Sequence, residues 1–386
     1  MNDQLLFYQS KLESDGCGKP GRVAMLVQDD TITAVGPDDL KRLGRKLLKQ
    51  LGLPALALYE PSLSFYNSVI DKVSAGDIIV PTDTETRTFL HDIPFIRQSG
   101  IDNNLVTRLT ELLGQRKGVM IENCCIITTG TVTLEQAYIN ASSLFHAVFV
   151  KHLLDLHQSG FSSEREQKEF DRFRHHWLKP LAPPDPPLRT GPLTTSEEIY
   201  REMIRAGRAT VETRLVDSSF GNISCKSGDI IYISQTGASL DALTGCIDPI
   251  PLNNSTTCGI TASSELLAHR LIYEQIGDGV ILHGHPKFSI IMSMICDHPD
   301  CRGTECWNNC PKRRNCRGIP IVSGEIGAGG LAEKVSPVIK ETGTVIVYGH
   351  GVFTSGRDFN RAFNALLLTE ITCREEYFRH ILQTVD

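Results

Sequence analysis

Apolar runs of strand length, among them Val23–Val27 and Asp77–Val80, alternate along the chain with stretches of helical spacing. That pattern predicts an α/β protein. In the second half, Thr195 and Ser196 stand ahead of Glu197 and Glu198, a helix-start signal for a helix reaching about Thr213. Residues 218–239, SSFGNISCKSGDIIYISQTGAS, read as turn, strand, tight turn, strand, turn. Leu266, Leu267, Leu271 and Ile276 lie close to helical spacing, so a helix starts near Ser263. One apolar strand then ends in His283-Gly284-His285 and another in His350. Phe363, Leu366, Leu367 and Ile371 place a last helix from Phe359 to about Leu382.

The pattern repeats. Residues 117–154 and 342–378 both read as apolar strand, short turn, Thr/Ser-Gly and amphipathic helix, with Cys125 opposite His350 at an offset of 225. Upstream, AGDIIVPTD aligns with GDGVILHGH at an offset of 202, and Gly36 with Gly237 at 201. The expected reading is an internal duplication with one insertion in the second copy, the cysteine-rich stretch Cys296–Cys316. In this register Pro81 and Asp83 fall opposite His283 and His285, and Pro61-Ser62-Leu63 opposite Ser263-Ser264-Glu265. The first copy would then hold no metal.

Three segments follow: a lobe at 1–160, a charged connector and proline-rich linker at 161–192, and a catalytic lobe at 193–386. The linker packs six prolines between Pro180 and Pro192, a composition that favours extended chain over a core. A net charge of −6 gives no basic footprint for nucleic acid. The start lacks a basic segment followed by a long apolar one, and no apolar run reaches membrane-spanning length, so a cytoplasmic protein without a membrane partner is expected. Twelve cysteines in such a chain point to reduced thiols or metal rather than a disulfide framework.

Candidate chemistry concentrates between Ser263 and Pro286, plus His350. Side chains alternate along a strand, so His283 and His285 point the same way, and a neighbouring strand brings in His350. Three neutral imidazoles suit Zn²⁺ or a similar divalent ion and leave a coordination position open. Glu265 is the carboxylate beside them. Ser263 and Ser264, at a helix start, are either a phosphate cradle or simple N-caps. Lys226 is either a charge for an anionic substrate or a solvated strand residue. The insert carries Cys296, Cys301, Cys306, Cys310 and Cys316, for which a structural zinc, an iron–sulfur cluster and free thiols all stay open.

The order GNIS (221–224), Thr236-Gly237, Ser263-Ser264-Glu265, His283-Gly284-His285 and His350-Gly351 resembles the class II aldolase/adducin family, in particular its fuculose-phosphate-aldolase-like enzymes. The resemblance covers about residues 190–386. It implies a three-layer α/β/α domain around a mostly antiparallel sheet, here doubled by the duplication. It implies Asn222, Ser224, Thr236, Gly237, Ser263 and Ser264 as binders of a substrate phosphate. Glu265 would be the acid/base, and His283, His285 and His350 the zinc ligands. The implied reaction is metal-dependent cleavage or formation of a C–C bond in a sugar phosphate, with an enediolate stabilised by the metal. Epimerisation, dehydration and decarboxylation within the family, and a non-catalytic adducin-like role, are the alternatives. Members form rings of four with sites between subunits, which implies a homo-oligomer here: a tetramer, or a dimer of two-lobed chains.

Overall fold

The computed structural model describes residues 1–73, 76–97, 103–217, 219–296, 306–310, 312, 314–324 and 328–383. The chain divides into two units, Met1–Lys179 and Pro180–Asp386.

The first unit runs α1 (Asn2–Ser14), β1 (Gly18–Gln28), β2 (Ile32–Val35), α2 (Asp38–Leu51), β3 (Ala55–Pro61), α3 (Tyr66–Asp71), β4 (Ile78–Ile79), α4 (Thr84–Leu90), β5 (Ile93–Ile96), α5 (Asn103–Leu113), β6 (Gly118–Ile121), β7 (Cys125–Gly130), α6 (Leu134–Ser159) and α7 (Glu164–Arg172). Its sheet order is β2-β1-β3-β7-β6-β5-β4, antiparallel throughout except between β5 and β6. Leu40, Leu43 and Leu47 of α2 and Leu105 and Leu109 of α5 bury one face of the sheet against Leu26, Leu56, Leu58 and Ile127. α1 and α6 cover the other.

The second unit runs α8 (Ser196–Glu212), β8 (Asn222–Ser227), β9 (Ile230–Ser234), β10 (Ile247–Pro251), α9 (Leu266–Ile276), β11 (Gly279–Gly284), α10 (Lys287–Met294), β12 (Arg314–Cys316), β13 (Ile319–Val322), α11 (Ala328–Thr342), β14 (Thr344–Val347), β15 (Gly351–Gly356) and α12 (Phe359–Gln383). Its order is β10-β9-β8-β11-β15-β14-β13-β12, again antiparallel except between β13 and β14. Ile272 and Tyr273 of α9 and Leu331, Val335 and Ile339 of α11 pack on Ile233, Ile281, Val345 and Phe353, while α8, α10 and α12 lie on the opposite face. Each unit is therefore a three-layer α/β/α sandwich on a mostly antiparallel sheet. α8 begins where its sequence signal stands: Thr195 and Glu198 form a reciprocal capping box.

Apart from β10, the two sheets correspond strand for strand, which fits a duplication, but the register differs from the one expected. His283 pairs with Phe353 and Asn222; Leu58 pairs with Ile127 and Ala24. The counterpart of β11 is therefore β3, at an offset of 225 (283 against 58). Residues 78–79, expected opposite the histidine strand, form a short edge strand on β5. Asp83, expected opposite His285, instead caps α4 by accepting from the Thr86 amide at 2.8 Å. The physical reason is burial. ALALYEP is the central run, with both faces covered, and a continuous apolar run does not alternate.

The length difference moves with the register. The offset is 198 at β1 and β8 (222 against 24), 225 at β3 and β11, and 226 at β5 and β13 (321 against 95). The 27 extra residues thus precede β11, in the segment carrying β10 and the Thr236-Gly237 turn, and no net insertion sits at Cys296–Cys316. Residues 161–179, expected in the connector, fold with the first unit, where Phe170 and Phe173 are buried and Phe173 meets Phe149 at 5.6 Å between ring centres. The proline-rich segment is tied to the second unit: Arg189 donates to Glu198 at 2.6 Å and the Gly191 amide to Asp358 at 2.8 Å.

Candidate metal and acid/base site

The second unit gathers four of the expected residues at the C-terminal end of β11. His283 is the penultimate residue of that strand, His285 follows it, and His350 sits in the turn between β14 and β15. Their ligating atoms all lie within 4.8 Å of one another and all three rings are buried. His283 Nε2 is 2.9 Å from His285 Nε2 and 3.2 Å from His350 Nε2. The Glu265 carboxylate closes the fourth side, with Oε1 3.2 Å from His350 Nε2 and Oε2 3.6 Å from His283 Nε2.

Glycines make this approach possible. A Cβ at Gly351 would stand 2.9 Å from His283 Cε1 and 2.5 Å from the Gly284 carbonyl. At Gly221, where φ is +78°, a Cβ would meet the His283 carbonyl at 2.6 Å.

The donor set fits a divalent cation of the zinc class. His283 Nδ1 donates to the Val352 carbonyl at 3.1 Å, which fixes its tautomer and leaves the Nε2 lone pair facing the other two rings. Phe220 stacks on His285 with ring centres 5.5 Å apart. Among the described residues this is the one three-ligand group of its kind.

Glu265 is held by a directional chain of hydrogen bonds. Only the amide NH₂ of Asn222 can donate to a carboxylate, and it does so at 2.6 Å. Asn222 Oδ1 must then accept from His269 Nε2, 2.6 Å away. With that proton on Nε2, His269 Nδ1 accepts from the Ser224 hydroxyl at 2.6 Å, and Ser224 in turn accepts from Tyr273 at 2.7 Å. Burial holds the His269 ring neutral, down at about 3 despite the nearby Glu265. Burial pushes the Glu265 carboxyl up, but His283, His350 and the Asn222 amide outweigh it and hold it well below the usual carboxylate range.

The expected phosphate residues divide into two groups. Thr236 and Ser264 meet at the head of α9, where the Ser264 amide donates to Thr236 Oγ1 at 3.2 Å, and Ser263 Oγ accepts from the Glu265 amide at 3.3 Å. Gly237 follows Thr236 in the same turn, with φ +72°. Asn222 and Ser224 lie elsewhere, inside the chain that supports Glu265. Lys226 is taken up by Asp278.

In the cysteine-rich stretch, Cys301 lies outside the described residues. Cys316 is buried and hydrogen-bonds with Cys373 of α12, a partner from outside the stretch. Cys310 Sγ lies 3.8 Å from the Lys312 carbonyl, Cys306 is buried and Cys296 half-buried.

Sequence reasoning missed His269 and Tyr273, although Glu265, His269 and Tyr273 are spaced by four and so share one helix face. It also missed the Asp217–Lys287 ion pair beside the histidines, at 2.6 Å, for which no local signal exists.

Comparison with known proteins finds matches that each cover about half of this chain. Residues 201–377 match the profile of the family described as Class II Aldolase and Adducin N-terminal domain. The L-fuculose phosphate aldolase of Methanococcus maripaludis is 28% identical over 186 residues, covering 47% of this chain and 98% of that protein. Among solved structures, the l-fuculose-1-phosphate aldolase of Thermus thermophilus aligns at 18% identity with a TM-score of 0.41, over 49% of this chain and 97% of its own. YgbL of Klebsiella pneumoniae, described as a putative aldolase/epimerase/decarboxylase, aligns at 19% with a TM-score of 0.41, over 48% and 91%.

Proposed function

The second half of this chain belongs to the class II aldolase and adducin family, and from that premise we propose that it is a metal-dependent lyase that cleaves or forms a C–C bond in a sugar phosphate. The observation that carries the reading is the convergence of three imidazole nitrogens on one point with a carboxylate 3.2 Å from one of them. A relative that is an L-fuculose phosphate aldolase supports a phosphorylated ketose as the substrate class.

His283, His285 and His350 hold the metal. A bound divalent cation supplies Lewis-acid stabilisation of the negative charge that develops on substrate oxygens when the C–C bond beside a carbinol breaks. Glu265 is ionised and accepts or returns the proton at the carbon that gains or loses its bond. Asn222 fixes the carboxylate from one oxygen, so the proton moves at the other. The turn at the head of α9, where the Ser264 amide donates to the Thr236 hydroxyl and Ser263 and Gly237 stand alongside, receives the phosphate, which the hydroxyls of Thr236, Ser263 and Ser264 can bind as donors.

The test is a screen of ketose phosphates by coupled detection of the released aldehyde and triose, run beside Glu265→Gln. Turnover by wild type that falls in the variant, with metal retained, supports the reading. A metal-loaded wild type that cleaves none of them leaves the other reactions of the family, or a non-catalytic role, as the better reading.

A further inference from the structure

The first unit has its own cleft at the place that corresponds to the histidine cluster. By the strand register, Leu58 stands for His283, Glu60 for His285 and Cys124 for His350. Cys125 takes the place of Gly351, the glycine that leaves room for the imidazoles of the second unit. The space opened by the lost rings holds a thiol. The cleft is about 260 Å³ and is lined by Cys124, Cys125, Lys19, Glu60, Ser64 and Asn67, among others.

The two sulfurs lie 3.7 Å apart, Cys124 half-buried and Cys125 1% exposed. The turn that presents them is pinned. Asn123 adopts φ +54°, its amide donates to Asn67 Oδ1 at 2.9 Å, and the Cys124 amide donates to the Ile121 carbonyl at 3.1 Å. Arg22 binds Asp39 at 2.6 Å and Glu60 at 2.7 Å, and its charge acts on Cys124 more weakly than Cys125, burial, Glu60 or Asp39.

We propose that Cys124 and Cys125 form a redox-active vicinal dithiol that reacts reversibly with small disulfides such as oxidised glutathione. Cys124 is the attacking thiol because it faces the cleft. Its hydrogen bond with Cys125 outweighs burial and brings it down to about 7, while Cys125 is pushed far above the ordinary thiol range. The Cys124 thiolate attacks one sulfur of the disulfide. The S–S bond breaks and the first small thiolate leaves, taking a proton from water. Cys125 then gives its proton to water and attacks Cys124 Sγ, expelling the second small thiolate. One small disulfide is reduced to two thiols and the two cysteines are oxidised to one disulfide. Adjacent Cα atoms are about 3.8 Å apart, shorter than the roughly 4.4–6.8 Å that disulfides prefer, so the product is strained and readily reduced. That strain makes it a reversible mark rather than a structural bond.

The test uses the full chain incubated with oxidised glutathione, then alkylated, digested and weighed. In wild type the peptide spanning Cys124 and Cys125 loses two hydrogens, takes no alkyl group, and recovers both sites after dithiothreitol. In Cys125→Ser, glutathione is trapped on Cys124 roughly tenfold faster than on the half-buried Cys246 of the second unit. In Cys124→Ser, Cys125 stays free. If both cysteines of wild type remain fully alkylatable after the oxidant, or if trapping on Cys124 is no faster than on Cys246, the proposal fails. The wild-type arm needs no variant to fold.

Discussion

Two sheets of the same order carry different chemistry. In the second unit, three imidazoles and Glu265 converge beyond the end of β11. In the first, the corresponding place is a cleft lined by Glu60, Cys124 and Cys125; Glu60 is held by Arg22, and a leucine, Leu58, stands in the core where His283 stands in the other. The difference does not lie in the shared framework, since, β10 apart, strand order and the parallel pair are the same. It lies in four side chains, one glycine and the 27-residue segment before α9, which only the second unit has. One framework thus carries two different sets of side chains within one chain.

The sharpest way to break the comparison is through Glu265. Glu265→Gln should lower turnover by about 10²- to 10⁴-fold with the metal kept, read by steady-state kinetics beside metal analysis. No substitution in the first unit should approach that. Next in size is the support behind it. His269→Phe leaves Asn222 Oδ1 without its donor, so the amide loses its fixed orientation toward Glu265. We expect kcat to fall roughly tenfold with KM and metal content unchanged. A merely structural role for His269 would lower the melting temperature and spare kcat.

Two smaller effects belong to the first unit. Arg22→Met leaves Asp39 and Glu60 without their cation. Their side chains are 44% and 26% exposed, so solvent screens much of the loss, and about 1 kcal/mol of stability should go, read by denaturant unfolding. Turnover should not change. His152 is buried against Phe65, with ring centres 4.2 Å apart, and burial holds it at about 3, against 6.5 ordinarily, despite the nearby Glu166. The unfolded chain therefore binds a proton near pH 6.5 that the folded chain refuses until about pH 3. Its share of stability is intact above 6.5 and is lost as pH falls toward 3. Between pH 7 and 6 this amounts to about 0.7 kcal/mol. His152→Phe, which keeps the stacking and the Lys72–Glu166 pair, should flatten that slope; an unchanged slope assigns it to other groups.

The parts legible in the sequence are those whose signal is local. The histidine cluster, the capping box of α8, the head of α9 and the span of α12 all follow from spacing. The register of the first unit does not. ALALYEP carries no alternation because both of its faces are buried, whereas AGDIIVPTD looks like a strand and pairs over only two residues at an edge. The support behind Glu265 was hidden for a related reason. Asn222 and Ser224 lie within a family-like motif and read as ligand binders, yet their partners come from α9, some 40 residues on. Cys316, grouped by composition with its neighbours in the cysteine-rich stretch, finds its partner on α12. No helix among the described residues is long and apolar enough to cross a membrane.

The central claim is that the cation site belongs to the three histidines of the second unit alone. The direct measurement is divalent metal per chain in anaerobically purified wild type, His283→Ala/His285→Ala and Cys124→Ser/Cys125→Ser. The account predicts that the histidine variant loses about one equivalent relative to wild type while the cysteine variant loses none. Metal that survives the histidine change and vanishes with the cysteines, or a wild type that takes up no divalent ion when it is supplied, would contradict it.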